Sequence, residues 1–189
     1  MGAGTRSRPL RHDDTVTWTS PAPPPRGPLG DGPLTGPDRP ILEAYLASLR
    51  STLLNVCAGL TGEQLATRAL PPSELSLLGI VRHLTKVERI WLRQRAGGEE
   101  VDALHGGPGD PSDFRDTDPA AAEQEVATLV EEWRLADLAV ADVPFDHEID
   151  WRGSAMSLRM VYVHLVGEYS RHLGHADVLR ERIDGVTGR

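Results

Sequence analysis

From Pro40 onward apolar residues recur at steps of three and four: Leu42, Tyr45, Leu46, Leu49, Leu53, Val56, Cys57 and Leu60. That spacing keeps one face of a 3.6-residue turn apolar and predicts a helix over about residues 39–59. Asp38 is its candidate cap, Pro40 falls in the tolerant first turn, and Gly59 stands near its end. Thr61-Gly62-Glu63-Gln64 has the form of a capping box, so a short helical turn to about Arg68 follows before Pro71-Pro72 forces a loop. A second long helix starts at the N-cap Ser76, runs on Leu77, Ile80, Val81, Leu84, Val87 and Trp91, and stops at Gly97-Gly98. Asp118-Pro119 opens a third, periodic through Val126, Leu129, Val130, Trp133, Ala136 and Val140 to about Ala141. Residues 143–156 predict a short extended pair. Ser157 then caps a fourth helix, carried by Met160, Val161, Leu165, Ala176 and Leu179 and ended by Asp184-Gly185.

Four long helices with an interior seam and one long crossover describe an all-α four-helix bundle. The crossover, residues 97–117, is acidic and carries Gly106-Gly107-Pro108-Gly109, too polar for a core element, so it reads as a mobile connection or a cover over a site. Residues 1–37 differ from everything after them. They hold Pro9, Pro21, Pro23, Pro24, Pro25, Pro28, Pro33 and Pro37 among small residues, which cannot bury enough surface to offset ordering entropy. This divides the chain into a disordered or extended tail, 1–37, and a domain, 38–189. Trp18, the tail's one bulky residue, either docks on the domain or stands exposed. There is no internal repeat.

Composition narrows the function. The chain has 189 residues and a net charge of −8, which suits one domain with a tail. The tail sets Arg6, Arg8, Arg11 and Arg26 against Asp13, Asp14 and Asp31, so the domain is more acidic than the whole and repels phosphate backbones; no nucleic-acid partner is expected. No run approaches the ~20 apolar residues of a membrane span, and the N-terminus lacks an apolar signal core, so no membrane association and a cytoplasmic location are expected. The single cysteine, Cys57, excludes an internal disulfide and a multi-cysteine zinc site. It occupies an apolar position of the first helix and reads as a buried, inert thiol. Any metal must be held by histidine and carboxylate.

Such residues converge on the fourth helix. At about 100° per residue, His164, Glu168, His172 and His175 share a sector of roughly 80°. Burying a glutamate among imidazoles costs several kcal/mol unless its charge is compensated, and a divalent cation is the simplest compensation. Side chains at i and i+4 can share one ion, but His164/Glu168, Glu168/His172 and His172/His175 all have usable spacing, and spacing does not choose among them. His83 is the candidate third ligand, because it shares a face with Ser76, Ile80, Val87 and Ile90 on the second helix. The competing reading is a core histidine satisfied by a carbonyl or by Glu168. His12, His105 and His147 lack such company and read as surface residues.

Leu75-Ser76-Leu77-Leu78-Gly79-Ile80-Val81-Arg82-His83-Leu84-Thr85-Lys86-Val87-Glu88, with Glu168 to Asp177 and Arg180 to Gly185 far downstream, resembles the DinB/YfiT-like superfamily of metal-binding four-helix bundles. More narrowly it resembles a branch related to mycothiol-dependent transferases, over about residues 40–185. The resemblance implies a metal held by a histidine in mid second helix and two residues four apart on the last, hence His83, Glu168 and His172. Many members carry histidine where this chain has Glu168, and the glutamate form is similar to the mycothiol-dependent maleylpyruvate isomerase. His175 stands where many relatives have glutamine and is a candidate donor behind the ligands or substrate contact; His164 is the same, or core. Arg82, Arg171 and the 97–117 loop are further candidate substrate contacts, and no catalytic residue is assigned.

Three protein ligands leave open coordination positions, the pattern of a catalytic metal. Zinc is the first expectation, with nickel, iron or manganese also compatible with this donor set. The implied activity is a divalent-metal-dependent enzyme that activates a small thiol, mycothiol by resemblance, for transfer or addition to a small electrophile. Two other readings compete: a non-catalytic, stress-associated metal-binding bundle, and a non-haem Fe(II) enzyme using the two-histidine, one-carboxylate set. Related bundles often pair, so a homodimer is expected.

Overall fold

The computed structural model describes residues 17–27 and 30–187, and they are mostly helical with one small hairpin. Helix α1 (Asp38–Cys57) begins after Pro37, with Asp38 inside its first turn and its carboxylate paired to Arg159 rather than capping the helix. The box at Thr61 forms as its residues dictate: the Thr61 hydroxyl accepts from the Gln64 amide and the Gln64 side chain accepts from the Thr61 amide, opening α2 (Gly62–Ala66). Ser76 caps α3 (Leu77–Glu88) by accepting from the Gly79 amide at 3.1 Å. The sequence predicts one α-helix as far as Gly97, but Arg89–Ala96 winds as a π-helix, closed by the Gly97 amide on the Leu92 carbonyl.

A single helical turn, α4 (Ser112–Arg115), sits inside the crossover. Asp118 accepts from the Ala120 amide and starts a 3₁₀ turn, Pro119–Ala121, that runs into α5 (Ala122–Ala139). Strands β1 (Glu148–Trp151) and β2 (Ser154–Ser157) form the expected pair, Glu148 opposite Ser157 and Trp151 opposite Ser154, around Arg152 and Gly153, both at positive φ. Ser157 caps α6 (Leu158–Asp184), and Gly185, at φ 79°, ends it in the left-handed region that favours glycine. None of these helices is long and apolar enough to cross a membrane.

Helix α1 lies along α6, α3 along α5, and α3 also meets α6 and α4. Between them Leu46, Leu53, Leu77, Leu78, Ile80, Leu84, Leu129 and Leu165 are excluded from water, each contributing about 1.5–3 kcal/mol of burial. An ionic layer crosses this core. Arg50 of α1 donates to both carboxylate oxygens of Glu88 at 2.8 Å and to Asp137 at 2.9 Å, while the Tyr169 hydroxyl donates to Glu88 and accepts from Trp133 Nε1. One residue or more from each of α1, α3, α5 and α6 is thereby held in register.

Part of the segment before residue 38 meets the domain: Thr19 bridges to Thr61, Ser20 exchanges backbone hydrogen bonds with Leu60 and Gly59, and Trp18 packs on the core, the docked one of its two expected placements. Backbone pairing and one indole supply the burial that composition alone denied the segment. The tail call for residues 1–16, including His12, lies outside the described residues. The crossover is likewise tied down. Lys86 Nζ donates to the Asp110 carbonyl at 2.6 Å and the His105 carbonyl at 3.3 Å, Arg82 donates to the Asp113 carbonyl and pairs with Glu125, and Arg89 donates to the Asp102 carbonyl.

Candidate metal centre and its cleft

The Ser76 cap fixes the register of α3 and turns His83 toward α6, where Glu168 and His172, four residues apart, project from one face. One ligand atom from each of His83, Glu168 and His172 can be chosen so that all lie within 4.8 Å of one another, and this trio could hold a metal ion. His83 Nε2 is 3.6 Å from Glu168 Oε2, and His172 Nε2 is 3.5 Å from the same oxygen. The two imidazole rings are tilted, 4.5 Å between centroids. His83 Nε2 and His172 Nδ1 are buried without a hydrogen-bond partner. Orphaned ring nitrogens beside a carboxylate cost free energy as they stand, and an electron-pair acceptor would satisfy His83 Nε2.

The other nitrogen of His83 is committed. Its Nδ1 lies 2.8 Å from Asp113 Oδ2, and because a carboxylate only accepts, this bond places a proton on Nδ1 and leaves Nε2 to face Glu168. Phe114 stacks on the same ring at 4.6 Å. Asp113 is buried, which works to raise its pKa, but the hydrogen bond from His83 and the charge of Lys86, 3.4 Å away, more than offset this and hold it below the usual carboxylate range. Burial, joined by the neighbouring His83, pushes His172 from an ordinary 6.5 down to about 4, against the pull of Glu168. His172 is therefore neutral, the form that can ligate.

The remaining candidates fall around this trio. His164 is half-buried, its ring 4.6 Å from that of Trp91, and burial lowers its pKa. It lines the cleft with Glu168 but does not join the trio. His175 is exposed, edge-on to His172 at 5.6 Å, and Arg171 is exposed with its guanidinium 3.9 Å from Glu168; neither lines the cleft. Arg82, expected as a substrate contact, is mostly buried in its pair with Glu125 and serves the loop instead. His105, expected at the surface, is also mostly buried, 3.1 Å from the second oxygen of Glu125. His147 is exposed, as expected. Cys57 is buried, and burial pushes its thiol up to about 12, so it is inert.

Beside the trio opens a cavity of about 530 Å³, walled by the π-helical segment, the loop around Asp110, the hairpin turn and α6. Trp91, Arg95, Phe114, Trp151 and Arg152 line it; Phe114 falls in the 97–117 loop that the sequence marked as a candidate contact, and the other four were not marked as site residues. The nearest sequence signal was Lys86, the chain's single lysine, on the turn after His83. A slightly larger hollow, about 590 Å³, lies between Thr52, Asn55 and Arg180 near the end of α6, but no histidine, cysteine or carboxylate lines it.

The model of a family described as mycothiol-S-transferase matches residues 41–185. Comparison with curated proteins and with solved structures gives no match.

Proposed function

The chain belongs to the mycothiol-S-transferase family, and from that premise we propose that it is a four-helix bundle of the DinB/YfiT-like type whose His83, Glu168 and His172 hold one divalent cation, zinc foremost. Its activity is transfer of a small thiol, mycothiol, to an electrophile seated in the adjoining cleft. The observation that carries this is the buried, unpartnered Nε2 of His83, aimed at Glu168 beside an open cavity. A divalent ion held there would supply Lewis acidity, lowering the pKa of a thiol substrate toward neutral pH.

The chain's own residues do the rest. Asp113 holds His83 in the tautomer that presents Nε2, and Glu168 supplies the negative charge that favours a cation over a proton between two imidazoles. Burial keeps His172 unprotonated. His164, also kept neutral, stands in the cleft as a base for the thiol proton. Phe114 and Trp91 cover apolar wall and exclude water from the region where sulfur meets the electrophile. The cleft favours an enzyme over a purely structural metal bundle, because a site that only stabilised the helices would need no opening of this size.

The test is metal content by mass spectrometry on untagged protein, beside the His83→Ala/His172→Ala variant. About one ion per chain, absent from the variant, is expected, together with loss of mycothiol-dependent turnover while the far-ultraviolet helical signal is retained. No metal in either protein would overturn the reading, and loss of the helical signal in step with the metal would turn it toward the structural role.

A further inference from the structure

Two arginines in the cleft have no partner among the described residues. Among the described residues Arg95, Arg152 and Arg182 have no hydrogen bond and no ion pair, whereas the other described arginines bond or pair with a carboxylate or a carbonyl. Arg95 and Arg152 both line the cavity beside the trio, the first from the π-helical segment and the second from the hairpin turn. Each guanidinium lies over an indole: Arg95 at 4.4 Å from the ring centre of Trp91, Arg152 at 5.3 Å from that of Trp151.

This arrangement has a chemical reading. Stacking uses the flat face of a guanidinium and leaves its in-plane N–H groups free, while the indole restrains the side chain so that less rotamer freedom is lost on binding. A restrained guanidinium with its N–H edge unoccupied matches a planar oxyanion. The charge of the cleft agrees. Of its lining carboxylates, Asp113 is spent on His83 and Lys86, Asp110 accepts from the Ser112 amide, and Glu168 faces the two imidazoles. In a chain of net charge −8, a cleft lined by Lys86, Arg95 and Arg152 against Asp110, Asp113 and Glu168 is locally balanced, and Arg95 and Arg152 are its cations without an ion-pair partner among the described residues.

We propose that the electrophile taken by this cleft carries a carboxylate, held by Arg95 and Arg152 so that its reactive carbon faces the His83–Glu168–His172 trio. The proposal rests on the transferase reading for the role of that ligand, but not for its binding. Arg95 and Arg152 are specificity-determining residues, and the sulfur chemistry does not pass through them.

The test uses the metal-loaded full chain and two probes of nearly equal shape, phenylacetate and phenylacetamide, titrated calorimetrically into wild type, Arg95→Gln, Arg152→Gln and the double variant. Wild type is expected to bind the carboxylate on the order of tenfold tighter than the amide, and the double variant to lose that preference with amide affinity unchanged. Equal affinities in wild type would overturn the proposal. So would a preference that survives in the double variant, since the anion would then be sitting on the metal. In parallel, mycothiol alkylation by iodoacetate and iodoacetamide is followed; sulfur displaces iodide from carbon in both, so the pair differs only in the charged group. Carboxylate binding without turnover of either iodo compound would sink the transferase reading and leave the anion site standing.

Discussion

Asp113→Asn is the substitution that separates a trio of polar residues from a tuned metal site. The side chain keeps its shape, so packing under Phe114 is preserved, but the oxygen 2.8 Å from His83 Nδ1 can be replaced by an amide nitrogen. That nitrogen donates, which favours the His83 tautomer with its lone pair on Nδ1 and a proton on Nε2, the wrong one for binding a cation. Loss of a carboxylate that orients a ligating histidine costs about 10–100-fold in metal affinity, or roughly 1.4–2.7 kcal/mol. The fold should lose less than a buried ion pair of this kind suggests. Lys86 keeps its bonds to the Asp110 and His105 carbonyls, so its ammonium is not stranded, and a cost of about 1–3 kcal/mol is expected rather than the roughly 3–5 of an orphaned buried charge. Zinc competition against a chromophoric chelator gives the affinity, and urea unfolding of the metal-free protein gives the stability. A variant that unfolds like wild type and binds zinc within about threefold of it would refute the claim that Asp113 sets the tautomer.

The ionic layer and His172 each carry a further expected outcome. Arg50→Met leaves Glu88, wholly buried, with only the Tyr169 hydroxyl, and is expected to cost about 3–5 kcal/mol in urea unfolding; Arg50→Met/Glu88→Leu should recover at least half, and a single-variant loss below ~1 kcal/mol would contradict the ionic layer as drawn. In the metal-free protein His172 titrates near 4 when folded, below its ordinary 6.5, so the unfolded chain binds the extra proton first; stability is full above about pH 6.5 and declines as pH falls toward 4. Unfolding midpoints measured across that window should show this slope flattened in His172→Phe, and an unchanged slope would assign the acid sensitivity to other groups.

What could be read from the chain was what local chemistry decides. The caps at Thr61, Ser76 and Ser157 and the glycine stop at Gly185 each depend on partners three or four residues away, so sequence order is enough to find them. The polar stripe of His164, Glu168, His172 and His175 and the facing His83 were visible for a related reason, since polar residues interrupt apolar helical stripes and a stripe's facing can be counted without knowing the fold; the choice of His83, Glu168 and His172 among them came from the family resemblance. Contacts made across long separations left no such trace. Asp113 lies 30 residues from the His83 it orients, in a loop whose composition says only that it is polar. His105 resembled any surface histidine because Glu125, its neighbour, comes from another element. The docking of Trp18 and Ser20 depends on backbone groups of the Gly59–Thr61 connection between α1 and α2, about 40 residues along the chain. The π-helical winding of residues 89–96, which carries Trp91 and Arg95 into the cleft, has no signature in apolar period alone.

The crossover thus joins the proposed metal site and the proposed substrate cleft into one unit. Helix α3 presents Arg82, His83 and Lys86 within one turn, and each meets Asp113: Arg82 at its carbonyl, His83 and Lys86 at its carboxylate. The same segment brings Phe114 onto the His83 ring and Pro108 to Asp110 into the wall of the cleft. A displacement of this segment would release the His83 tautomer and open the cleft at once, because one aspartate serves both. Metal affinity and electrophile binding should therefore weaken together in variants that cut the loop's outer anchors. Glu125→Gln, which touches neither ligand nor cleft but holds Arg82 and His105, is such a change. If it lowered electrophile binding while zinc affinity stayed at the wild-type value, the two sites would be independent and Asp113 would not be their link.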